Sequence, residues 1–316
     1  MTKVMHKTSA ICKQNSLICG GITIFLYIWK LHRIAMPYII LIIYLALALT
    51  LQFLMGDFPL SFLTFPLNAV LCVLWLFILA LIWKHKRKSM FIRFMLHPGA
   101  TFTAIGLFLI FALTVGLTGQ RWLTATWPFI AFVLYFQTVL VYVIFRGWRE
   151  ATSTGARLGA IRWRFVFLHV GLLIAIGSAF WGAPDTETLK LQAFKDVPVQ
   201  EAYSEDGTVR WLEHPLTLKD FSVSYGNDGT PSDYRAHLEI EKESVELRVN
   251  HPYSARLGED IYLSGYDEAA GEYCILQIVK EPWRYGTVVG IVMMLIGAFL
   301  LFIEGPRRRY SDFSLI

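Results

Sequence analysis

Six long apolar runs constrain this chain more than any other feature. Each approaches or exceeds the roughly 18 apolar residues that a helix needs to cross a hydrocarbon core of about 30 Å. The mean hydropathy of +0.48 over 316 residues excludes a soluble protein. The sequence therefore predicts six transmembrane helices: Ile34–Leu54, Phe62–Trp83, Ala100–Leu117, Trp127–Phe145, Phe165–Trp181 and Gly286–Ile303.

A seventh apolar run, Leu17–Trp29, is short and lies between Lys13 and Lys30. We interpret it as an interfacial helix. A cleavable signal peptide is the alternative, although no small-residue cleavage site precedes the next basic residues.

Basic residues predict the orientation of the six spans. Lys and Arg cluster in the N-terminal segment, in the second-to-third and fourth-to-fifth loops and in the C-terminal tail, whereas the two short alternate loops hold only Arg121. Because basic residues stay on the cytoplasmic side, both termini are expected in the cytoplasm. The formal net charge of +5 is thus a topology signal and gives no indication of nucleic-acid binding.

Residues 182–285 are then the one sizeable domain expected outside. They hold twenty Asp and Glu against ten Lys and Arg, with short runs rich in aromatic and β-branched residues. Turn residues separate these runs at Glu205–Gly207, Asn227–Gly229 and Asp267–Gly271, and Lys219-Asp220 interrupts one alternation as a bulge or bend would. We predict a small antiparallel β-sandwich with strands at Leu189–Phe194, Leu216–Tyr225, Tyr234–Ile240, Val245–Val249, Ile261–Ser264 and Tyr273–Val279.

The predicted organisation is a polytopic α-helical membrane protein with one extracytoplasmic all-β domain. Its segments are a cytoplasmic or interfacial part (1–33), two N-terminal helices (34–83), a three-helix core (84–181), the β-domain (182–285), and the last helix with a basic tail (286–316).

Catalytic motifs are missing from the sequence. It has no nucleophile elbow, Walker loop, zinc-protease motif or Cys-x-x-Cys pair. Of the four cysteines, Cys12, Cys19, Cys72 and Cys274, only the last is expected outside, so the β-domain must rely on its apolar core rather than on an internal disulfide. An autonomous enzyme is not expected, and an accessory subunit fits better.

His169 is the ionisable side chain with the clearest functional interest. It lies about one turn into the fifth predicted span, where a polar group tends to face a partner or a cavity. A neutral imidazole is a common axial ligand of haem iron. Gly171 and Gly177 follow, so a face of this helix could admit a flat macrocycle or a neighbouring helix. A histidine that is merely hydrogen-bonded within the helix bundle stays the structural alternative.

An ordered series of motifs resembles the ResB-like (CcsB) family. His169-Val170-Gly171 corresponds to a His-Leu-Gly-type motif in the span before the external domain. The series continues through Leu216–Tyr225, Ser232–Arg235, Val249–Pro252, Ile261–Tyr266 and the Pro282-Trp283 pair before the last helix. The resemblance covers roughly residues 90–303, and the two N-terminal spans have no assigned counterpart.

The resemblance implies a subunit of the System II cytochrome c synthase, which moves haem outward and presents it for covalent attachment to apocytochrome c. By resemblance, His169 is an axial ligand of transported haem b, and the chain sits in the bacterial cytoplasmic (inner) membrane. The implied partner is a CcsA or ResC subunit bearing a Trp-rich WWD segment, which this chain lacks. The external domain is shorter than is usual in the family.

Other residues carry open alternatives. His97-Pro98 opens the third span and is either a second haem ligand or a helix start. His251 is either a structural turn residue or a contact to haem or a partner. Trp122, Trp127, Trp181 and Trp283 are expected at the outer interface, either as an aromatic belt or as a platform for haem. The competing function is a non-haem scaffold or signalling protein whose β-domain binds an external protein.

Overall fold

A computed structural model describes residues 38–119, 121–153, 163–225, 231–267 and 272–304. These residues form two compact units. One comprises residues 38–59 and 78–145, and the other comprises residues 60–77 and 146–304. The run Leu17–Trp29 and the Asn227–Gly229 turn lie outside the described residues. The predicted division into five segments stays a prediction.

Among the described residues, six helices are long and apolar enough to cross a membrane, as the sequence predicts, and the chain is a multi-pass membrane protein. A seventh helix, α3, is short. The helices are α1 (Tyr38–Met55), α2 (Leu67–Lys86), α3 (Met90–Met95), α4 (Pro98–Thr118), α5 (Trp127–Ser153), α6 (Trp163–Gly182) and α7 (Arg284–Glu304). Short 3₁₀ turns occupy Leu60–Leu63, Arg121–Ala125 and Ala183–Asp185.

Helix α5 is the centre of the first unit. Its side chains are mostly buried, including Phe132 and Tyr142. Two tyrosine hydroxyls hold its neighbours: Tyr135 donates to the carbonyl of Ala100 in α4 (3.0 Å), and Tyr44 of α1 donates to the carbonyl of Ala131 (3.0 Å). Since hydrocarbon offers no hydrogen-bond partner, such hydroxyls bond to main-chain oxygens within the unit.

The β-domain follows α6 and leads into α7. Its eight strands form one antiparallel sheet in the order β5-β4-β3-β2-β1-β8-β7-β6. The strands are β1 (Glu187–Phe194), β2 (Pro198–Ser204), β3 (Val209–Tyr225), β4 (Pro231–Ile240), β5 (Glu243–Arg248), β6 (Tyr253–Arg256), β7 (Glu259–Tyr266) and β8 (Tyr273–Lys280). The antiparallel all-β prediction is confirmed. The strands are hydrogen-bonded in a single sheet, and the sandwich arrangement stays a prediction.

Six of the eight strands coincide with predicted ones, whereas β2 and β6 were missed. The predicted bulge is present, because the register between β3 and β4 shifts between Leu218 and Asp220. The turn at Glu205–Gly207 is also present, with Gly207 at φ +79°. Strand β2 was missed because Pro198, Gln200 and Glu201 give it no alternation of apolar and polar residues.

One apolar core fills the inner face of the sheet. Alternate residues of β1 contribute to this core, together with the residues of β2, β3, β4, β5, β7 and β8 that face the same side of the sheet. The sheet therefore curls around its own core. Cys274 lies in this core and is fully buried. Burial raises the pKa of its thiol to about 12.

Candidate functional site

Helices α6 and α7 pack with their backbones in close contact. A Cβ atom added to Gly290 would lie 2.4 Å from the Ala175 nitrogen, and one added to Gly171 would lie 2.8 Å from the Gly290 carbonyl oxygen. A Cβ atom added to Gly286 would collide with the side chain of Ser178. Small residues spaced by about one turn let two membrane helices approach this closely. Gly171 therefore serves the contact with a neighbouring helix, which was one of the two roles the sequence left open.

His169 lies on the other side of α6 from this contact. It is two residues before Gly171, which places it about 200° around the helix from that glycine. Its side chain is half-buried. Gly177, two turns further along the helix from His169, has open space where a Cβ would be. The contact face is closed by α7, whereas the side of α6 that carries His169 keeps open space at Gly177.

The imidazole of His169 is held from two directions. Its Nδ1 lies 3.0 Å from the carbonyl oxygen of Phe165, one turn earlier in the helix. The ring of Phe165 stacks on the imidazole with 4.1 Å between centroids and 28° between planes. The same phenyl ring packs against Gly147 in α5, where an added Cβ would meet Phe165 Cε1 at 2.4 Å. A chain of contacts thus runs from Gly147 through Phe165 to His169.

The hydrogen bond to Phe165 decides which nitrogen of His169 carries the proton. A carbonyl oxygen can only accept, so this bond requires a hydrogen on Nδ1. In a neutral imidazole, Nε2 then keeps its lone pair. Metal-ligating histidines usually have this arrangement: one ring nitrogen donates to a carbonyl, and the lone pair of the other can bind the metal.

A second polar cluster, which no sequence pattern predicts, lies at the far end of α6. Asp185 accepts from the backbone nitrogen of Phe65 (2.7 Å), from Asn68 Nδ2 (2.7 Å) and from Trp283 Nε1 (2.6 Å). Asn68 is buried and also donates to the carbonyl of Trp181 (2.8 Å). Asp185 therefore joins the start of α2, the end of α6 and the segment before α7.

An ion pair fixes α7 to the β-domain. Arg284, the first residue of α7, pairs with Asp260 of β7, which is buried and also accepts from Ser254 Oγ (2.7 Å). The guanidinium of Arg284 holds the pKa of the Asp260 carboxyl below its usual range, and the Ser254 hydroxyl adds to this.

Four other predicted residues, His97, His251, Trp181 and Trp283, have structural contacts. His97 caps α4, where its Nδ1 accepts from the backbone nitrogen of Gly99 (3.1 Å). His251 forms an isolated bridge with Arg248 between β5 and β6. Trp181 is buried, and Trp283 is bonded to Asp185. These contacts favour the helix-start and turn interpretations of the two histidines.

With this geometry in view, comparison with known proteins identifies part of the chain. Residues 146–274 match the ResB-like family. The chain is ResB-like over this segment. The match confirms the resemblance seen in the motifs and points to cytochrome c biogenesis. The ResB-like segment contains Gly147, Phe165, His169, Asp185 and most of the β-domain, whereas α7 and His97 lie outside it.

Two further comparisons concern solved structures and curated proteins. The solved structure of a cytochrome c haem lyase, CcmF, is similar with 14% identity and a TM-score of 0.39, covering 63% of this chain and 34% of that chain. This chain thus spans about a third of the CcmF chain's length. No curated protein matches it significantly.

Proposed function

We propose that this protein is a subunit of a membrane cytochrome c synthase that helps haem cross the membrane and presents it for attachment to apocytochrome c. His169 is the residue that contacts the haem, as an axial ligand through Nε2. The observation that carries the proposal is the Phe165 carbonyl, which holds the proton on Nδ1 and leaves Nε2 free inside a membrane-spanning helix. The ResB-like match over residues 146–274 supports the same function.

The residues around His169 suit a haem cargo. Imidazole nitrogen is a common axial ligand of haem iron, and haem b keeps both axial positions available. The Phe165 ring limits rotation of the imidazole, so little conformational freedom remains to be lost on binding. The space beside Gly177 on the same helix leaves room for an apolar planar group. We expect the second axial ligand from another helix or from the partner subunit.

The proposed setting follows from the distribution of charge. The basic clusters support an orientation with both termini in the cytoplasm and the acidic β-domain outside the bacterial cytoplasmic membrane. His169 then lies near the cytoplasmic surface, on the side of the membrane where haem would enter, and the β-domain lies on the opposite side. The WWD-type partner of the CcsA or ResC kind would supply the attachment site, since the sequence of this chain has no catalytic motif.

The test is a spectrum of the purified protein. Wild type, His169→Ala and the matched control His97→Ala would each be produced with and without the WWD-type partner, and haem would be measured by absorption and as the pyridine haemochrome. We expect a Soret band in wild type and in His97→Ala. We expect it to be lost or labile in His169→Ala and restored in part by free imidazole, because imidazole can occupy the space left by the side chain.

Two outcomes would contradict the proposal. A Soret band unchanged in His169→Ala would remove His169 from the haem site. A wild-type protein that is free of haem even with its partner would favour the non-haem scaffold, in which the β-domain alone carries the function.

A further inference from the structure

A run of basic residues at the end of α2 has no counter-charge in its own unit. Five exposed cations lie there: Lys84, Lys86, Arg87, Lys88 and Arg93. We call residues 84–93 the basic segment. Among the described residues, no ion pair joins any of these cations to a carboxylate. The described part of the first unit holds a single acidic residue, Asp57, which precedes α2 and therefore lies on the other side of the membrane that α2 crosses.

The basic segment is fixed at a membrane surface. α2 ends at Lys86 and α4 begins at Pro98, and both helices are long and apolar enough to cross a membrane. Helix α3 occupies most of the connection between them, and three of its side chains, Ile92, Phe94 and Met95, are buried. Phe94 packs edge-on against Tyr38 of α1, with 5.3 Å between ring centroids. Because these contacts hold α3 beside the ends of the helices, the basic segment lies at the depth of the lipid headgroups.

Exposed apolar side chains lie among the charges of the basic segment. Met90 is 41% exposed and Phe91 is 43% exposed. Met90 and Arg93 are three residues apart, so they share the outer side of α3. The guanidinium of Arg87 lies over the ring of Trp83, 5.8 Å from its centroid, and tryptophan is typical of the headgroup level. The segment thus presents cationic and apolar groups side by side, which suits an amphiphile with a negative headgroup.

Contacts within the first unit hold the basic segment in shape. The Ser89 hydroxyl caps α3 by accepting from the backbone nitrogen of Ile92 at 3.3 Å, and the Ser89 nitrogen donates to the carbonyl of Lys86 at 2.8 Å. The ring of Phe91 packs edge-on against Tyr142 of α5, with 6.0 Å between centroids. A segment that is ordered before binding loses less conformational freedom when a ligand arrives.

Membrane topology alone does not require basic residues without counter-charges. At the end of α5, Arg146 pairs with Glu150 at 2.9 Å, so a basic flank of a span can carry its own counter-charge. The basic segment carries none, and its cations stay available to a negatively charged ligand. About four to eight Lys and Arg residues directly beside a membrane span are typical of sites that bind anionic lipid.

From these observations we infer that the basic segment binds the headgroup of an anionic phospholipid. The phosphate lies among the cations of Lys86, Arg87 and Lys88, and the acyl chains lie beside Met90 and Phe91. This inference goes beyond the haem-handling proposal and does not involve His169, so either can fail alone.

Native mass spectrometry of the full chain tests the inference. The protein would be purified in dodecyl maltoside and titrated with an equimolar mixture of dioleoylphosphatidylglycerol and dioleoylphosphatidylcholine, which share their acyl chains and differ in the net charge of the headgroup. We expect phosphatidylglycerol to be retained at least about tenfold more tightly, because several cations act on its net negative charge. Glycerophosphate, which has the phosphate without acyl chains, should not displace the lipid at equal concentration.

Variants of exposed residues locate the site. Lys86→Gln combined with Lys88→Gln should lower the preference for phosphatidylglycerol by roughly threefold to tenfold, since two of the cations are lost. Arg93→Gln alone should act in the same direction, by about twofold to threefold. The matched control, Lys195→Gln with Lys219→Gln, removes two exposed lysines of the β-domain that already pair with carboxylates, and it should bind lipid as wild type does. Unfolding midpoints should be similar in all variants, because exposed charges contribute little to stability.

Each outcome supports or overturns the inference. A preference for phosphatidylglycerol that falls in the variants of the basic segment, and persists in the matched control and in His169→Ala, supports it and separates it from the haem proposal. Equal retention of the two lipids by wild type, or an unchanged preference in the Lys86 and Lys88 double variant, would overturn it. Displacement of the lipid by an equal concentration of glycerophosphate would also overturn it, by assigning the segment to free phosphate groups.

Discussion

The two sides of helix α6 are built in opposite ways. One side meets α7 through Gly171 and Ala175, where added atoms would collide with the backbone of α7. The other carries His169, whose described contacts come from Phe165 within its own helix, and that ring in turn rests on Gly147. Packing on the first side depends on the complementary shapes of α6 and α7. The position of His169 on the second side depends mainly on a local hydrogen bond and one ring stack.

Under the proposed function, this difference would combine a rigid scaffold with a separate site for haem. The contact with α7 keeps the backbone of α6 in place, and polar contacts hold it at the β-domain end through Asp185 and, on α7, through Arg284 with Asp260. His169 adds almost nothing to that contact. Substitutions on the two sides should therefore separate stability from haem binding.

The largest effect is expected where α6 and α7 touch. Gly290→Leu would force its new side chain into the Ala175 backbone, and overpacking of this kind costs about 1–3 kcal/mol or more. The matched control is Gly177→Leu on the open side of α6, which should be neutral or slightly stabilising because Leu favours helix. Thermal unfolding in detergent measures both. Equal destabilisation by the two variants would break the comparison.

Asp185→Asn should come next. In the amide, an NH₂ donor replaces one of the two acceptor oxygens, while three donors still point at the side chain. At least one of these donors is left without an acceptor, which costs about 1–3 kcal/mol. Asp57→Asn is the control, since Asp57 is exposed and accepts one bond from Gln52. A midpoint of thermal unfolding that falls no further for Asp185→Asn than for Asp57→Asn would show that the cluster does not hold the end of α6.

The Asp260–Arg284 pair predicts an acid-sensitive attachment of α7. The pKa of Asp260 is lower in the folded protein than its unfolded value of about 4. Its contribution to stability is therefore complete above that value and is lost as the pH falls through the lower, folded pKa.

Asp260→Asn should remove this loss of stability at acid pH and lower the free energy of unfolding at neutral pH by about 1–2 kcal/mol. Ser254→Ala, which removes the weaker donor, should give an intermediate profile. Unfolding midpoints measured from neutral pH to below pH 4 would reveal both effects, and an Asp260→Asn profile that superimposes on wild type would rule the pair out as the cause.

The smallest effect on stability is expected on the His169 side. Phe165→Leu removes the ring that stacks on the imidazole but keeps the carbonyl bond to Nδ1, so haem retention should fall by roughly twofold to tenfold while the unfolding midpoint changes little. Phe167→Leu makes the same change in the same helix, at a ring that packs on Trp163 instead. Haem retention that falls equally in both variants would contradict a specific role for the stack.

Much of the architecture could be predicted because it depends on local pattern. An apolar run long enough to cross a bilayer must be helical, because only a helix satisfies its own backbone hydrogen bonds there. Alternation of apolar and polar residues, with turn residues between, located six strands and the bulge at Lys219. Strand β6 escaped because its four residues, Tyr253–Arg256, are too few to show a period. The resemblance located His169, but sequence alone left open whether Gly171 faced a macrocycle or a helix.

By itself, the sequence determined the number of apolar spans and the all-β character of the domain, since both rest on the chemistry of neighbouring residues along the chain. Only the tertiary structure decided that Gly171 is covered by Gly290 and that Asp185 gathers Phe65, Asn68 and Trp283. It also decided that residues of β3, β6, β7 and β8 line one cavity. These features join residues separated by about a hundred positions or by the closure of a whole sheet. No local period encodes such contacts, because their free energy depends on which surfaces meet.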